Sequence, residues 1–222
     1  MTQIHEYLEI LVSGNDLTFA QARALLDTIF EGGVSEIQVA AFLTAMRTKG
    51  ITVSELAGLA GSLRDHAVRV EAGLDNMIDV VGTGGAKVKV FNISTAAAIV
   101  AAGAGVPIAK HGNRAISSKS GAYDALTALG VKLDLTPEAI SKCIKEANIG
   151  FMFAPNHHPA MRHVGPARME MAVRTIFNLL GPQSNPANVS QYLLGVYARE
   201  WVEPVAAALL ANGATSAWVV HG

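Results

Sequence analysis

Three capping boxes punctuate the first 55 residues. Thr18 with Gln21, Ser35 with Gln38 and Thr52 with Glu55 share one spacing. In each, the first side chain caps an orphan backbone N–H and the second reaches back to the cap. Gly32-Gly33 and Gly50 stand where helix C-termini favour glycine. Ile4, Leu8, Leu11 and Val12 recur at helical spacing, and Phe19, Ala22, Leu25, Leu26 and Ile29 predict one buried stripe per helix. No Val/Ile-rich alternating run occurs before residue 77, so this part of the chain is confined to helices.

The pattern then changes. Short apolar runs at Met77–Val81, Val106–Ala109, Ile149–Phe153, Tyr192–Val196 and Ala217–Val220 read as strands. Helices are expected from Ser94 through the Ala-rich stretch, over Tyr123–Leu129, and from Pro137 behind the Thr136 cap. Strands alternating with helices predict an α/β protein: a small N-terminal helical domain (1–72) plus a larger α/β domain (73–222) with a mainly parallel sheet. Ligands of such sheets gather at the carboxyl ends of the strands.

Composition narrows the partners. A net charge of -1 gives no global attraction to nucleic acid or to a membrane. The most apolar stretch, Ile93 to Ala109, is broken by Ser94, Thr95, Gly103, Gly105 and Pro107 and is too short to span a bilayer. The N-terminus lacks a basic-then-apolar run, and the one cysteine, Cys143, excludes an internal disulfide. A cytoplasmic protein is expected.

Local charge is different. Between Gly82 and Ser120 lie Lys87, Lys89, Lys110, Arg114 and Lys119 but no Asp or Glu. In a slightly acidic chain, that bias marks an anion site. Gly82-Thr83-Gly84-Gly85 leaves a strand, and glycines let backbone N–H groups close on a phosphate. The spacing matches neither the dinucleotide fingerprint nor a P-loop. Asn92-Ile93-Ser94-Thr95 opens a helix, whose N-terminus carries partial positive charge. Lys110-His111-Gly112-Asn113-Arg114 and Ser117-Ser118-Lys119-Ser120-Gly121 form a second donor-rich segment after the next strand.

The segments GTGG, FNIST, KHGNRAISSKSG, FAPNHHPAMRHVGPAR and RTIFNLLGPQSNPA occur in the order found in anthranilate phosphoribosyltransferases, which the chain resembles throughout its length. The resemblance implies transfer of phosphoribosyl from 5-phosphoribosyl diphosphate to the amine of anthranilate, with Mg2+, in a homodimer joined through the helical part. It also implies that helices near 159–180 pack with the helical domain.

Carried over by position, Gly82, Thr83, Gly84, Gly85, Asn92, Ile93, Ser94, Thr95, Lys110, His111, Gly112, Asn113, Arg114, Ala115, Ile116, Ser117, Ser118 and Ala122 would hold the donor. Ser94 would also ligate magnesium. Gly82, Asn113, His158 and Arg168 would meet anthranilate, with Arg168 on its carboxylate and His111 and His158 lining the approach. No acid or base is assigned.

Some positions depart from the family pattern. Ala86 stands where relatives often have Asp, Val90 where Thr is common, and Ala122 in place of Ser. Relatives also continue beyond the length of this sequence to an Asp-Glu pair that binds magnesium, which implies a shortened chain. A nucleoside phosphorylase, a nucleic-acid-binding relative and an inactive fragment are the alternatives. The cluster His157, His158, His163 does not read as a zinc set, because Pro159 breaks helical pairing and no Cys or acid completes it.

Overall fold

The computed structural model describes residues 3–84, 91–113 and 121–222. Four helices open the chain: α1 (Gln3–Val12), α2 (Phe19–Phe30), α3 (Glu36–Lys49) and α4 (Val53–Asp65). All three capping boxes form, with Thr18, Ser35 and Thr52 each accepting from the backbone N–H three residues on. Gly50, at φ 94°, ends α3 in a conformation open to glycine.

The expectation of one buried stripe per helix fails twice. Phe19, the first residue of α2, is 40% exposed, although its carbonyl oxygen lies against Gly58 of α4. Helix α4 is buried on every side from Glu55 to Leu63. It is clasped by α2 on one flank and by the late helices α10 (Phe177–Leu180) and α11 (Val202–Ala211) on others. Glycine permits the closest of these approaches. A Cβ on Gly58 would lie 2.4 Å from the Phe19 carbonyl oxygen and 3.2 Å from Ala22 Cβ. Gly58→Ala should therefore destabilise the protein by about 1–3 kcal/mol, despite a helix-propensity gain near 1 kcal/mol. Urea unfolding with an unchanged or raised midpoint would contradict this.

Five strands follow: β1 (Ile78–Gly82), β2 (Ile108–Gly112), β3 (Ile149–Phe153), β4 (Gln191–Gly195) and β5 (Ser216–Val220). Between them lie α5 (Ile93–Gly103), α6 (Ala122–Ala128), α7 (Pro137–Ala147), α8 (Ala154–His157) and α9 (Gly165–Met171). The sheet is wholly parallel, in the order β3-β2-β1-β4-β5. Strand order reverses beside β1, which puts the switch point between β1 and β4.

Each face of the sheet has its own cover, as a parallel sheet requires. Val80 and Ile108 pack under Ala98 and Ala102 of α5. Val81, Ala109, Met152, Tyr192 and Leu194 join the same core as Leu25, Phe42, Leu59 and Leu180. Helix α9 packs on α3, and the 3-10 turn Pro159–His163 packs on α2. The sequence reading placed no helix at 202–211, although the Ala/Leu run there is helix-forming. No helix among the described residues is long and apolar enough to cross a membrane.

Candidate functional site

The register of β1 on β2, Ile78 opposite Ile108, brings Gly82 and Gly112 to the same edge of the sheet. Gly82 is also opposite Gly195 on β4, and Thr83 N–H donates to the Gly195 carbonyl at 2.9 Å. The turn at Gly82-Thr83-Gly84 is thus pinned over the switch point, with Gly84 at φ 68°. Helix α5 runs back antiparallel to β1, so its N-terminus, with Asn92, Ile93, Ser94 and Thr95, lies at this edge. The Asn92 side chain makes no capping bond, and buried Thr95 Oγ1 has no partner among the described residues. Both side chains are polar groups at a helix N-terminus, where an anion is favoured.

Of the remaining expected donor residues, Asn113 ends this edge and Ala122 begins α6. Gly85, Arg114, Ala115, Ile116, Ser117 and Ser118 lie outside the described residues, as do Lys87, Lys89 and Lys119.

Lys110 and His111 differ from expectation. They are not loop residues but belong to β2 itself and are only 3% exposed. Lys110 Nζ donates to the Val80 carbonyl at 2.6 Å, near the fully buried carboxylate of Asp79. The physical reason is charge: a carboxylate inside the sheet draws the ammonium inward.

Asp79 accepts from Asn185 Nδ2 at 2.7 Å and from His111 N–H at 3.3 Å. Burial pushes its carboxyl up to about 6, opposed by Lys110 and these hydrogen bonds. Sequence reasoning passed over Asp79. Its signal was an aspartate inside an apolar strand run.

The sign of the Asp79 effect is opposite to that of an ordinary surface acid. Its folded value lies above the ordinary 3.8, so the folded state holds a proton that the unfolded chain has released. Asp79 therefore opposes folding above pH 6, and that opposition fades as pH falls from 6 towards 4. Relative to Asp79→Asn, the wild-type protein should gain about 1–3 kcal/mol between pH 7.5 and 4.5. Melting curves of both proteins across that range check it. A constant difference would contradict it.

His158 leaves α8 to meet His111, with Nε2 to Nε2 at 3.2 Å and ring centroids 5.0 Å apart. Burial, with His157 next in effect, lowers His158 to about 4, and burial also holds His111 well below its ordinary value. Both rings are therefore neutral at pH 7, and one donates to the other. His157 turns away and its Nδ1 contacts the Val68 carbonyl at 2.9 Å. His163, the third histidine of that stretch, accepts from Arg162 Nε at 3.1 Å through its own Nε2. Among the described residues no group of three His, Cys, Asp or Glu could hold one.

The polar residues at the start of α5, Asn92 and Ser94, are neutral. They fit a magnesium ion only where diphosphate oxygens and water supply the rest of its shell.

Arg168, on α9, stacks its guanidinium 5.2 Å from the Phe177 ring centroid. It has no ion pair among the described residues, and burial alone lowers its affinity for protons. A half-buried guanidinium without a carboxylate is an open bidentate anion site. It connects to the strand exits through Phe177, α10 and the 3-10 turn Gly181–Gln183, which touches β2.

The same two parts, in the same order, occur in known proteins. Residues 5–67 match the glycosyl transferase family helical bundle domain, and residues 74–222 match its a/b domain. The chain is 52% identical over 222 residues to anthranilate phosphoribosyltransferase of Sinorhizobium medicae and 53% identical to that of Rhizobium johnstonii. It spans 66% and 65% of their lengths. The anthranilate phosphoribosyltransferase structure from Thermus thermophilus superposes with a TM-score of 0.93 at 44% identity, covering 97% of this chain and 65% of that one. The Saccharomyces cerevisiae enzyme in complex with PRPP and Mg superposes at 0.87 with 32% identity, covering 99% and 65%. With a helical bundle clasping a parallel sheet whose glycine exits face one helix N-terminus, the chain belongs to glycosyl transferase family 3.

Proposed function

We propose that the chain transfers phosphoribosyl from 5-phosphoribosyl diphosphate to the amine of anthranilate, releasing diphosphate. The observation that carries this reading is the convergence of the Gly82–Gly84 turn, the α5 N-terminus and the β2 exit at Asn113 on one edge of the sheet. Glycine turns and a helix N-terminus at one sheet edge are suited to binding an anion. The bond from ribose C1 to the diphosphate oxygen breaks with its electron pair leaving on diphosphate. The anthranilate nitrogen then bonds to C1 and gives up one proton to solvent or buffer. Donors fixed where the leaving charge develops lower that barrier without reorganisation, and holding the amine in line supplies the rest.

In the same reading Gly82, Thr83, Gly84, Gly85, Asn92, Ile93, Ser94, Thr95, Gly112, Asn113, Arg114, Ala115, Ile116, Ser117, Ser118 and Ala122 make up the donor site. Lys110 supports it from within β2 by holding the Val80 carbonyl. Magnesium, bound through diphosphate oxygens with Ser94, would neutralise leaving-group charge. Arg168 takes the anthranilate carboxylate, with Asn113 and the neutral His111–His158 pair beside the aromatic ring. The proposed division is a helical part at 1–72 and a donor-binding part at 73–222, with homodimerisation through the helical part and a cytoplasmic location.

The decisive assay mixes the chain with the donor, magnesium and anthranilate and follows anthranilate fluorescence. A donor-dependent fall supports the reading. Phosphate-dependent cleavage of a nucleoside, or steeply salt-dependent DNA binding without turnover, would replace it.

A further inference from the structure

Beneath the candidate site the ladder between β1 and β2 is cut short. Three of the sheet's ladders run five residues, whereas β1 and β2 are paired at Ile78–Ile108. That pair is anchored by Ile78 N–H donating to the Pro107 carbonyl at 3.0 Å. A parallel ladder continued from there would next use the Ala109 carbonyl, the Val80 carbonyl and His111 N–H. Each of these groups is bonded to a side chain. Ala109 O accepts from Asn185 Nδ2 at 2.8 Å, Val80 O accepts from Lys110 Nζ at 2.6 Å, and His111 N–H donates to Asp79 Oδ1 at 3.3 Å.

Asn185 is the centre of this wedge. It is fully buried, its amide nitrogen serves both Asp79 Oδ2 and Ala109 O, and its own oxygen accepts from Ala187 N–H at 2.8 Å. It lies just past the 3-10 turn Gly181–Gln183, in a segment whose Pro186 carbonyl accepts from Val70 N–H at 3.1 Å. The donor-site reading gave the Gly181–Ala187 segment no task. Buried polar groups are kept only where their bonds are complete, and here the bonds replace a sheet ladder between the two strands that carry the site.

We propose that Asn185 is a positioning residue: by bonding Asp79 on β1 and Ala109 on β2 it sets the gap between the two strands, and so the spacing of the Gly82–Gly84 turn from Asn113. Its effect on turnover rests on the donor-site reading, while its effect on the strand exits does not.

The test is hydrogen exchange by mass spectrometry on the full chain, comparing wild type, Asn185→Leu, Asn185→Asp and the exchanged pair Asp79→Asn with Asn185→Asp. The shape-conserving Asn185→Asp puts two carboxylates face to face. The exchanged pair restores a donor and an acceptor between positions 79 and 185. In Asn185→Leu and Asn185→Asp, exchange at peptides covering 78–84 and 106–113 should quicken about tenfold, with α2 unchanged. The exchanged pair should recover much of the protection of Asn185→Asp. Should Asn185→Leu fail to fold, Asn185→Asp and the exchanged pair carry the comparison.

In steady-state assays Asn185→Asp should raise the donor KM with little change in kcat. A wild-type chain that binds no donor would overturn the function proposed above while leaving the exchange result to decide the wedge. Unchanged exchange at the two exits, a uniform rise over the whole chain, or no recovery in the exchanged pair would overturn the positioning role.

Discussion

Arg168→Ala is expected to weaken the use of anthranilate by about 30- to 150-fold in kcat/KM, equivalent to roughly 2–3 kcal/mol for a lost charged contact. The donor KM should stay within about twofold of wild type. The argument rests on what the guanidinium lacks. Its planar face is occupied by Phe177, 5.2 Å away, which fixes its orientation, while its N–H edge has no ion pair among the described residues. A cation half removed from water and held by an aromatic ring is costly unless an anion completes it. Arg168→Lys should recover little, because an ammonium cannot grip a planar carboxylate by two parallel bonds. Equal losses for donor and acceptor would show that Arg168 acts on the site as a whole.

The second large effect concerns stability, and lies far from the sheet edge. Glu55 is fully buried, and its two carboxylate oxygens accept from four donors. Oε1 takes Leu17 N–H at 2.9 Å, and Oε2 takes Thr52 N–H at 2.9 Å, Thr52 Oγ1 at 3.0 Å and Lys49 Nζ at 2.9 Å. One side chain thereby closes the capping box of α4, ties down the end of α3 and holds the segment before α2. Glu55→Ala should cost about 3–5 kcal/mol, since it removes the buried partner of Lys49 and leaves two backbone N–H groups and a hydroxyl without their acceptor. For a chain of this size that lowers the melting temperature by about 10 °C or more. Asp16 offers the control. It bonds the same Lys49 Nζ at 2.7 Å, but its side chain is 59% exposed. Asp16→Ala should therefore shift stability by under about 1 kcal/mol. If both variants melt alike, burial is not what gives Glu55 its weight.

Glu55 also marks how far a sequence can be read. The box Thr52–Glu55 was legible because both bonds close within three residues. That Glu55 also reaches Leu17, 38 residues away, was not, because nothing local announces it. The same division runs through the candidate site. The glycine turn after β1 and the start of α5 follow from turn chemistry and hydroxyl-rich helix starts. The charge bias of 82–120 pointed to an anion site, yet it miscast Lys110 as a loop cation. The ammonium instead turns inward to the Val80 carbonyl, beside an aspartate that reads in sequence as a lone polar interruption of a strand. Phe19 misled for a related reason, since periodicity assigns a face to a residue but not whether its ring will be covered there.

By itself, then, the sequence determined where the side-chain-capped helices begin, which segments become strands, and that glycines and hydroxyls stand near strand exits. These are short-range matters, decided by bonds between residues three or four apart and by the alternation of apolar side chains. Only the tertiary structure decided that α4 is enclosed on all sides, that β1 and β2 part after one pair, and that Asn185 closes the gap. Asn185 and Asp79 are 106 residues apart. Whether two polar side chains so distant complete each other inside a core depends on the whole path of the chain between them, which no local pattern encodes.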